Sequence, residues 1–114
     1  MTKTMIVDID GTLVLQTENY LEQKDQVIAG TLEKLKEWEK KNYRLILITG
    51  RKEGSRRVTM KMLDDLGIHY DQLIMGVGIG PRVLINDVKP EFPDMVMAEA
   101  YNLKRNAGIT TINT

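Results

Sequence analysis

Apolar positions along this chain come in two rhythms: short unbroken runs, and stretches in which they recur every three or four residues. Residues 4–8 form the first run and predict a buried strand. Residues 44–49, Arg44-Leu45-Ile46-Leu47-Ile48-Thr49, form the second, continuous enough for a strand buried on both faces of a parallel sheet. From about residue 25 the rhythm is helical. Ile28, Leu32, Leu35 and Trp38 recur at helical spacing, Glu37 and Lys41 stand four apart, and Asn42 is the expected stop. A second helix is predicted over about 54–66, with Val58, Met62, Leu63 and Leu66 inward and Gly67 as its cap. Residues 71–75 and 83–86 predict two more strands, 94–106 a third helix, and 109–112 (ITTI) a closing edge strand. Residues 13–24 have no clear period and read as a flap or loop.

Strands alternating with helices imply right-handed crossovers, hence an α/β fold whose parallel sheet carries helices on both faces. A chain of 114 residues is expected to form one domain, residues 1–114. Sixteen basic residues balance sixteen acidic ones, so no global positive field draws it to nucleic acid or to a membrane. The apolar run at 5–7 is broken by Asp8 and is too short for a signal peptide or a span. The absence of cysteine excludes disulfides and thiolate metal sites. A soluble cytoplasmic protein is the expectation from these features.

The candidate chemistry gathers at strand ends. Asp8 and Asp10 leave the first strand, Gly11 and Thr12 follow, Thr49 leaves the second, and Asn86-Asp87 leave the fourth. Residues two apart on a strand share a face, so Asp8 and Asp10 are expected to lie together at its exit. Two close carboxylates repel, which makes them a poor structural choice and a good catalytic one. Ligands in open parallel sheets bind at the carboxyl ends of the strands, and three segments point there.

These residues resemble the haloacid dehalogenase-like phosphohydrolase superfamily. Its first motif, D-x-D-G-T after an apolar strand, is matched by Asp8-Ile9-Asp10-Gly11-Thr12. Its second, an apolar strand ending in Thr or Ser, is matched by Leu45 to Thr49. Its fourth is matched in part by Val83-Leu84-Ile85-Asn86-Asp87. The resemblance implies a three-layer, Rossmann-like fold and, since no insertion fits between the motifs, a small member without a cap domain. It implies a Mg²⁺-dependent phosphatase in which Asp8 is the nucleophile that forms an aspartyl-phosphate and Asp10 handles the proton. Thr49 would bond a phosphoryl oxygen, and Asp87 would complete a metal site with the Asp8 carboxylate and the Asp10 carbonyl. Asn86 stands where the family often has an acid and is a further metal partner.

The third motif, a Lys or Arg beside the phosphate, is assigned to Arg82 first and Lys89 second, with Arg56, Arg57 and Lys61 left open. Gly11, Thr12, Gly50, Arg51 and Lys89 are candidates for substrate binding, Arg51 with Arg56-Arg57 reading equally as a solvated helix start. The expected substrate is a small phosphorylated metabolite such as a sugar phosphate. The site would be lidded by the flap, by loop 76–82, or by a neighbouring subunit of a homo-oligomer. Two rival readings stand beside it. The Gly50-Arg51…Arg56-Arg57 stretch looks somewhat like polynucleotide 3′-phosphatases, against which the neutral charge argues. Asn86 and the open third motif suggest a phosphate-binding or scaffold domain of weak catalysis.

Overall fold

The computed structural model describes residues 1–16 and 26–114; most of the expected flap lies outside the described residues. Three strands, β1 (Thr4–Asp8), β2 (Arg44–Ile48) and β3 (Gln72–Ile74), form a parallel sheet in the order β1-β2-β3. Two helices link them, α1 (Thr31–Lys40) and α2 (Arg56–Asp65), the second entered through a single 3₁₀ turn at Glu53–Ser55. All five elements lie where the apolar rhythm predicts them. Both helices stop by the same device. The amides of Asn42 and Tyr43 return to Glu39 and Trp38, and those of Gly67 and Ile68 return to Asp64 and Leu63. Asn42 and Gly67 take the left-handed conformation that this double closure requires.

Strand order fixes where the helices go. Two right-handed crossovers stepping in one direction across a sheet put both helices on the same face. Val7, Leu45, Leu47 and Leu73 point to that face and pack with Trp38 of α1 and Met62 and Leu63 of α2 in one core. Trp38 is only 2% exposed, and it is the largest side chain in that core. Val58, expected inward, is 70% exposed: α2 turns Thr59, Met62 and Leu63 to the sheet instead.

The opposite face carries Ile6, Ile46, Ile48 and Ile74. Pairing sets Ile6 beside Ile46 and Ile48 beside Ile74, with Asp8 in the second row. No helix covers this face among the described residues, and Ile6 and Ile74 are about half exposed. The expectation of helices on both faces is therefore corrected to one covered face and one open face.

The C-terminal third departs further. Residues 83–86 form no strand, 94–106 no helix, and 109–112 no edge strand. A strand exists only through a neighbour's hydrogen bonds, and a short helix persists only when an apolar face is packed. Among the described residues nothing supplies either partner. Residues 80–102 leave the body as an arm in which no residue is buried. The arm bends where the Phe92 amide donates a hydrogen bond to the Lys89 carbonyl and the Met95 amide to the Phe92 carbonyl, and the Asn86 side-chain amide reaches the Met97 carbonyl at 3.5 Å. The chain then returns, and Ile109 and Ile112 seal into the core through a turn. The arm makes the molecule 51 Å long against 28 and 25 Å across. Its radius of gyration, 15.0 Å, exceeds the roughly 13 Å expected of a compact chain this long.

Candidate active site

β1 delivers Asp8 to the C-terminal rim of the sheet, and the turn beyond it is built around one carbonyl. Ile9 O accepts the amides of Thr12, Leu13 and Val14 at 3.2, 2.9 and 3.1 Å. Ile9, Leu13 and Val14 are fully buried beneath the turn, so its backbone is clamped by the core. Gly11 sits at φ +83°, a conformation that strains any side chain, and its amide closes on Val14 O at 2.7 Å. The result holds Asp8 and Asp10 close together. Burial, the largest influence, raises the Asp8 pKa above its ordinary 3.8. The Ile9 amide and the Thr12 hydroxyl lower it, the charge of Asp10 adds to the rise, and Arg82 opposes it. The Thr12 hydroxyl faces Asp8 Oδ2 at 3.4 Å.

Asp10 has a different partner. Arg51, just past β2, forks its carboxylate with Nε and Nη2 at 2.9 and 2.8 Å. The same guanidinium donates to the buried Thr59 hydroxyl at 3.2 Å, and its backbone amide donates to Thr49 Oγ1 at 3.0 Å. Arg51 is thus a positioned, part-buried partner of the acid pair, not a solvated helix start. Removing it leaves Asp10 short of its main counter-charge. Arg51→Ala is expected to cost about 1–2 kcal/mol in chemical denaturation, between the values of exposed and buried pairs.

A cleft of about 530 Å³ opens over these groups. Asp8, Asp10, Gly11, Thr12, Thr49, Gly50, Arg51 and Arg82 all line it. The segment after β3 reaches it by crossing Gly50, where Gly78 O lies 3.3 Å from where a Cβ would stand. Arg82 is tied to that segment through the carbonyls of Gly78 and Gly80. Gln16, Leu103 and Arg105 also line the cleft, and the residue-by-residue reading of the sequence missed them. Arg105 lies against Gly11, and Asn106 ties the returning chain to Gly11 O and to Gln16. No local signal marks Arg105; it is brought there by the path of the chain after the arm.

The expected convergence of three strand ends is met by two. Asn86, Asp87 and Lys89 lie on the exposed arm, outside the cleft, and Asp87 pairs with Lys89 at 2.8 Å. That contact holds the Asp87 carboxyl below its ordinary range. Among the other cations considered for the third motif, Arg56 is forked by Glu53 and Lys61 is paired with Asp65. Neither they nor Arg57 line the cleft. No three metal-ligating side chains gather anywhere among the described residues.

Comparison with known proteins agrees with this picture at the level of family and fold. A family model described as "PITM 1-3, LNS2 domain" matches residues 5–89, from β1 into the arm. A crystal structure of a structural-genomics target from Vibrio cholerae is similar at a TM-score of 0.54 and 23% identity. The match covers 84% of this chain and 91% of that one. No curated protein matches the chain.

Proposed function

The chain belongs to the LNS2 domain family, a phosphatase-fold branch of the haloacid dehalogenase-like superfamily, and from that premise we propose that it hydrolyses phosphomonoesters through an aspartyl-phosphate on Asp8. One observation carries the reading: Asp8 stands in a cleft that also holds a second carboxylate, a buried threonine and three arginines. A nucleophilic carboxylate beside an anionic phosphate needs positive charge around the phosphoryl oxygens, and Arg51, Arg82 and Arg105 supply it. Asp8 Oδ attacks phosphorus, the P–O bond to the leaving group breaks, and the departing oxygen takes a proton from Asp10. Water then cleaves the acyl-phosphate, giving its proton back to Asp10 and releasing inorganic phosphate. Arg51 forks Asp10 across the cleft, and an arriving phosphate competes with that carboxylate for the same guanidinium. A small phosphorylated metabolite in a cytoplasmic setting fits the cleft and the balanced charge.

Magnesium is the ion that this superfamily implies. Within the described residues the donor set offered to it is minimal. The Asp8 carboxylate and the Asp10 carbonyl are at the rim, but the Asp10 carboxylate is committed to Arg51 and Asp87 lies out on the arm. One available carboxylate is the lower end of the one or two that the ion usually takes alongside phosphate and water.

Release of phosphate from p-nitrophenyl phosphate and from a panel of sugar phosphates tests the proposal. Turnover is expected in the wild-type protein and a loss of about 10²–10⁴-fold in Asp10→Asn, the usual contribution of a positioned acid–base group. Absence of turnover on the whole panel, with phosphate still bound, would favour the binding-domain reading, to which the minimal donor set lends support. The polynucleotide reading keeps Arg51 in the cleft but not Arg56 or Arg57, which lie outside it, and salt-sensitive binding of a 3′-phosphorylated oligonucleotide would favour it.

A further inference from the structure

The three guanidiniums of the cleft are not equivalent. Arg51 forks Asp10, and Arg82 bonds the carbonyls of Gly78 and Gly80 in its own loop. Arg82 also lowers the Asp8 pKa, which places its charge by the nucleophile. Arg105 differs from both. It lines the cleft, yet among the described residues its guanidinium meets neither an acid nor a hydrogen-bond acceptor. Five N–H donors in a planar fork therefore stand unclaimed beside the acid pair.

An exposed arginine is ordinary, but this one is carried on a fastened backbone. Leu103, two residues earlier, packs against the core, and Ile109 and Ile112 behind it are buried. Asn106 takes the left-handed conformation at φ +66° and donates its backbone amide to Gly11 O at 2.7 Å. Both ends of its side-chain amide are used on Gln16. Oδ1 accepts from the Gln16 amide at 2.9 Å, and Nδ2 donates to Gln16 O at 2.7 Å. The Arg105 stem then lies on Gly11, its Cγ 3.2 Å from where a Cβ would stand, with Gln16 Oε1 3.4 Å from the same point. Such fastening reduces the ordering cost of a long side chain when it binds.

The proposed chemistry says which part of a substrate this wall meets. Displacement at phosphorus is in line, so the leaving oxygen departs opposite Asp8 and takes its proton from Asp10. The leaving group therefore lies by Asp10, and Gly11 is the next residue along. Arg105 and Gln16 flank that glycine. We infer that Arg105, with the Gln16 amide beside it, forms a subsite for a second anion, and that the substrate is a phosphomonoester whose leaving group bears its own carboxylate or phosphate. Asn106 is the positioning residue of this subsite. A cleft of about 530 Å³ has room for both anionic groups. The inference rests on the phosphohydrolase reading and narrows it to a substrate class.

Matched pairs of substrates test it: 3-phosphoglycerate against glycerol 3-phosphate, and glucose 1,6-bisphosphate against glucose 6-phosphate. The members of each pair differ by one remote anion. Wild-type kcat/KM should favour the anionic member of at least one pair by about 10–100-fold, the worth of a charge-assisted hydrogen bond. Preference in the first pair alone identifies a carboxylate, and in the second alone a phosphate. In Arg105→Ala the ratio within the pair should fall toward one, chiefly through KM. Arg105→Lys keeps the charge without the fork and should retain only part of the preference. Asn106→Gly allows the same left-handed backbone but removes both side-chain bonds to Gln16. Its ratio should also fall with Arg105 intact, which a loss of stability alone would not cause. Equal rates within both pairs in an active wild type, or an unchanged ratio in Arg105→Ala, overturn the subsite and leave the phosphohydrolase reading standing. A wild type that hydrolyses nothing sinks that reading instead, and titration calorimetry with the same pairs then decides the subsite. An Arg105-dependent preference in Kd upholds it; equal Kd values within both pairs overturn it.

Discussion

Asp8→Asn is expected to abolish hydrolysis, with kcat lower by a factor on the order of 10⁴–10⁶, as when a covalent nucleophile is removed from other hydrolases. The amide cannot attack phosphorus, and no other group at the rim replaces it. The same substitution should raise stability at neutral pH. Burial lifts the folded-state pKa of Asp8 above 3.8, so the folded protein prefers the protonated acid and resists the charge. The associated stability is fully present below the unfolded-state pKa and is lost as pH rises through the folded one. Thermal melts should therefore show Asp8→Asn above wild type at pH 7, and the gap closing as pH falls toward the ordinary carboxylate value. The wild-type pH–rate profile carries the matching signature: its acid limb should sit above the usual aspartate range, because attack needs the ionised form. A variant that keeps wild-type turnover would remove Asp8 from the chemistry altogether.

The second large effect is on stability. Trp38→Ala should cost about 3–5 kcal/mol in denaturant unfolding, the range for deleting a large buried aromatic. Against a total of roughly 5–15 kcal/mol for a native protein, that leaves much of the chain unfolded under mild stress. Trp38 lies where α1 meets the sheet, and the indole Nε1 is buried without a partner among the described residues. Trp38→Phe discards that unsatisfied donor while keeping most of the ring. It should lose much less than the alanine variant, and an equal loss in both would show that ring area is not what holds α1 in place.

The acid pair illustrates what local pattern can reveal. Asp8, Asp10, Gly11 and Thr12 are contiguous, and their meeting with Thr49 follows from a general property of parallel sheets: neighbouring strands end at one rim. Arg51 was visible as a candidate but not in its role. Its partner lies 41 positions earlier in the chain, and a fork between two side chains that far apart has no periodic trace. Arg105 is more remote still, falling in a stretch whose rhythm predicted a helix.

The strand expected at 83–86 separates the two kinds of information most clearly. Val83-Leu84-Ile85 has the residue types of a buried strand, and composition reports that preference correctly. A preference is met only when another segment offers its hydrogen bonds, and among the described residues no strand lies beside 83–86. The sequence alone determined the local elements β1, α1, β2, α2 and β3 and the identity of the acids at the rim, because periodicity and strand-end chemistry act over a few residues. The tertiary structure decided which face of the sheet is covered, which arginine holds Asp10, and that Asp87 stands away from Asp8. Those outcomes depend on crossover direction, on close packing and on where the chain is pinned, and such constraints join residues distant along the sequence.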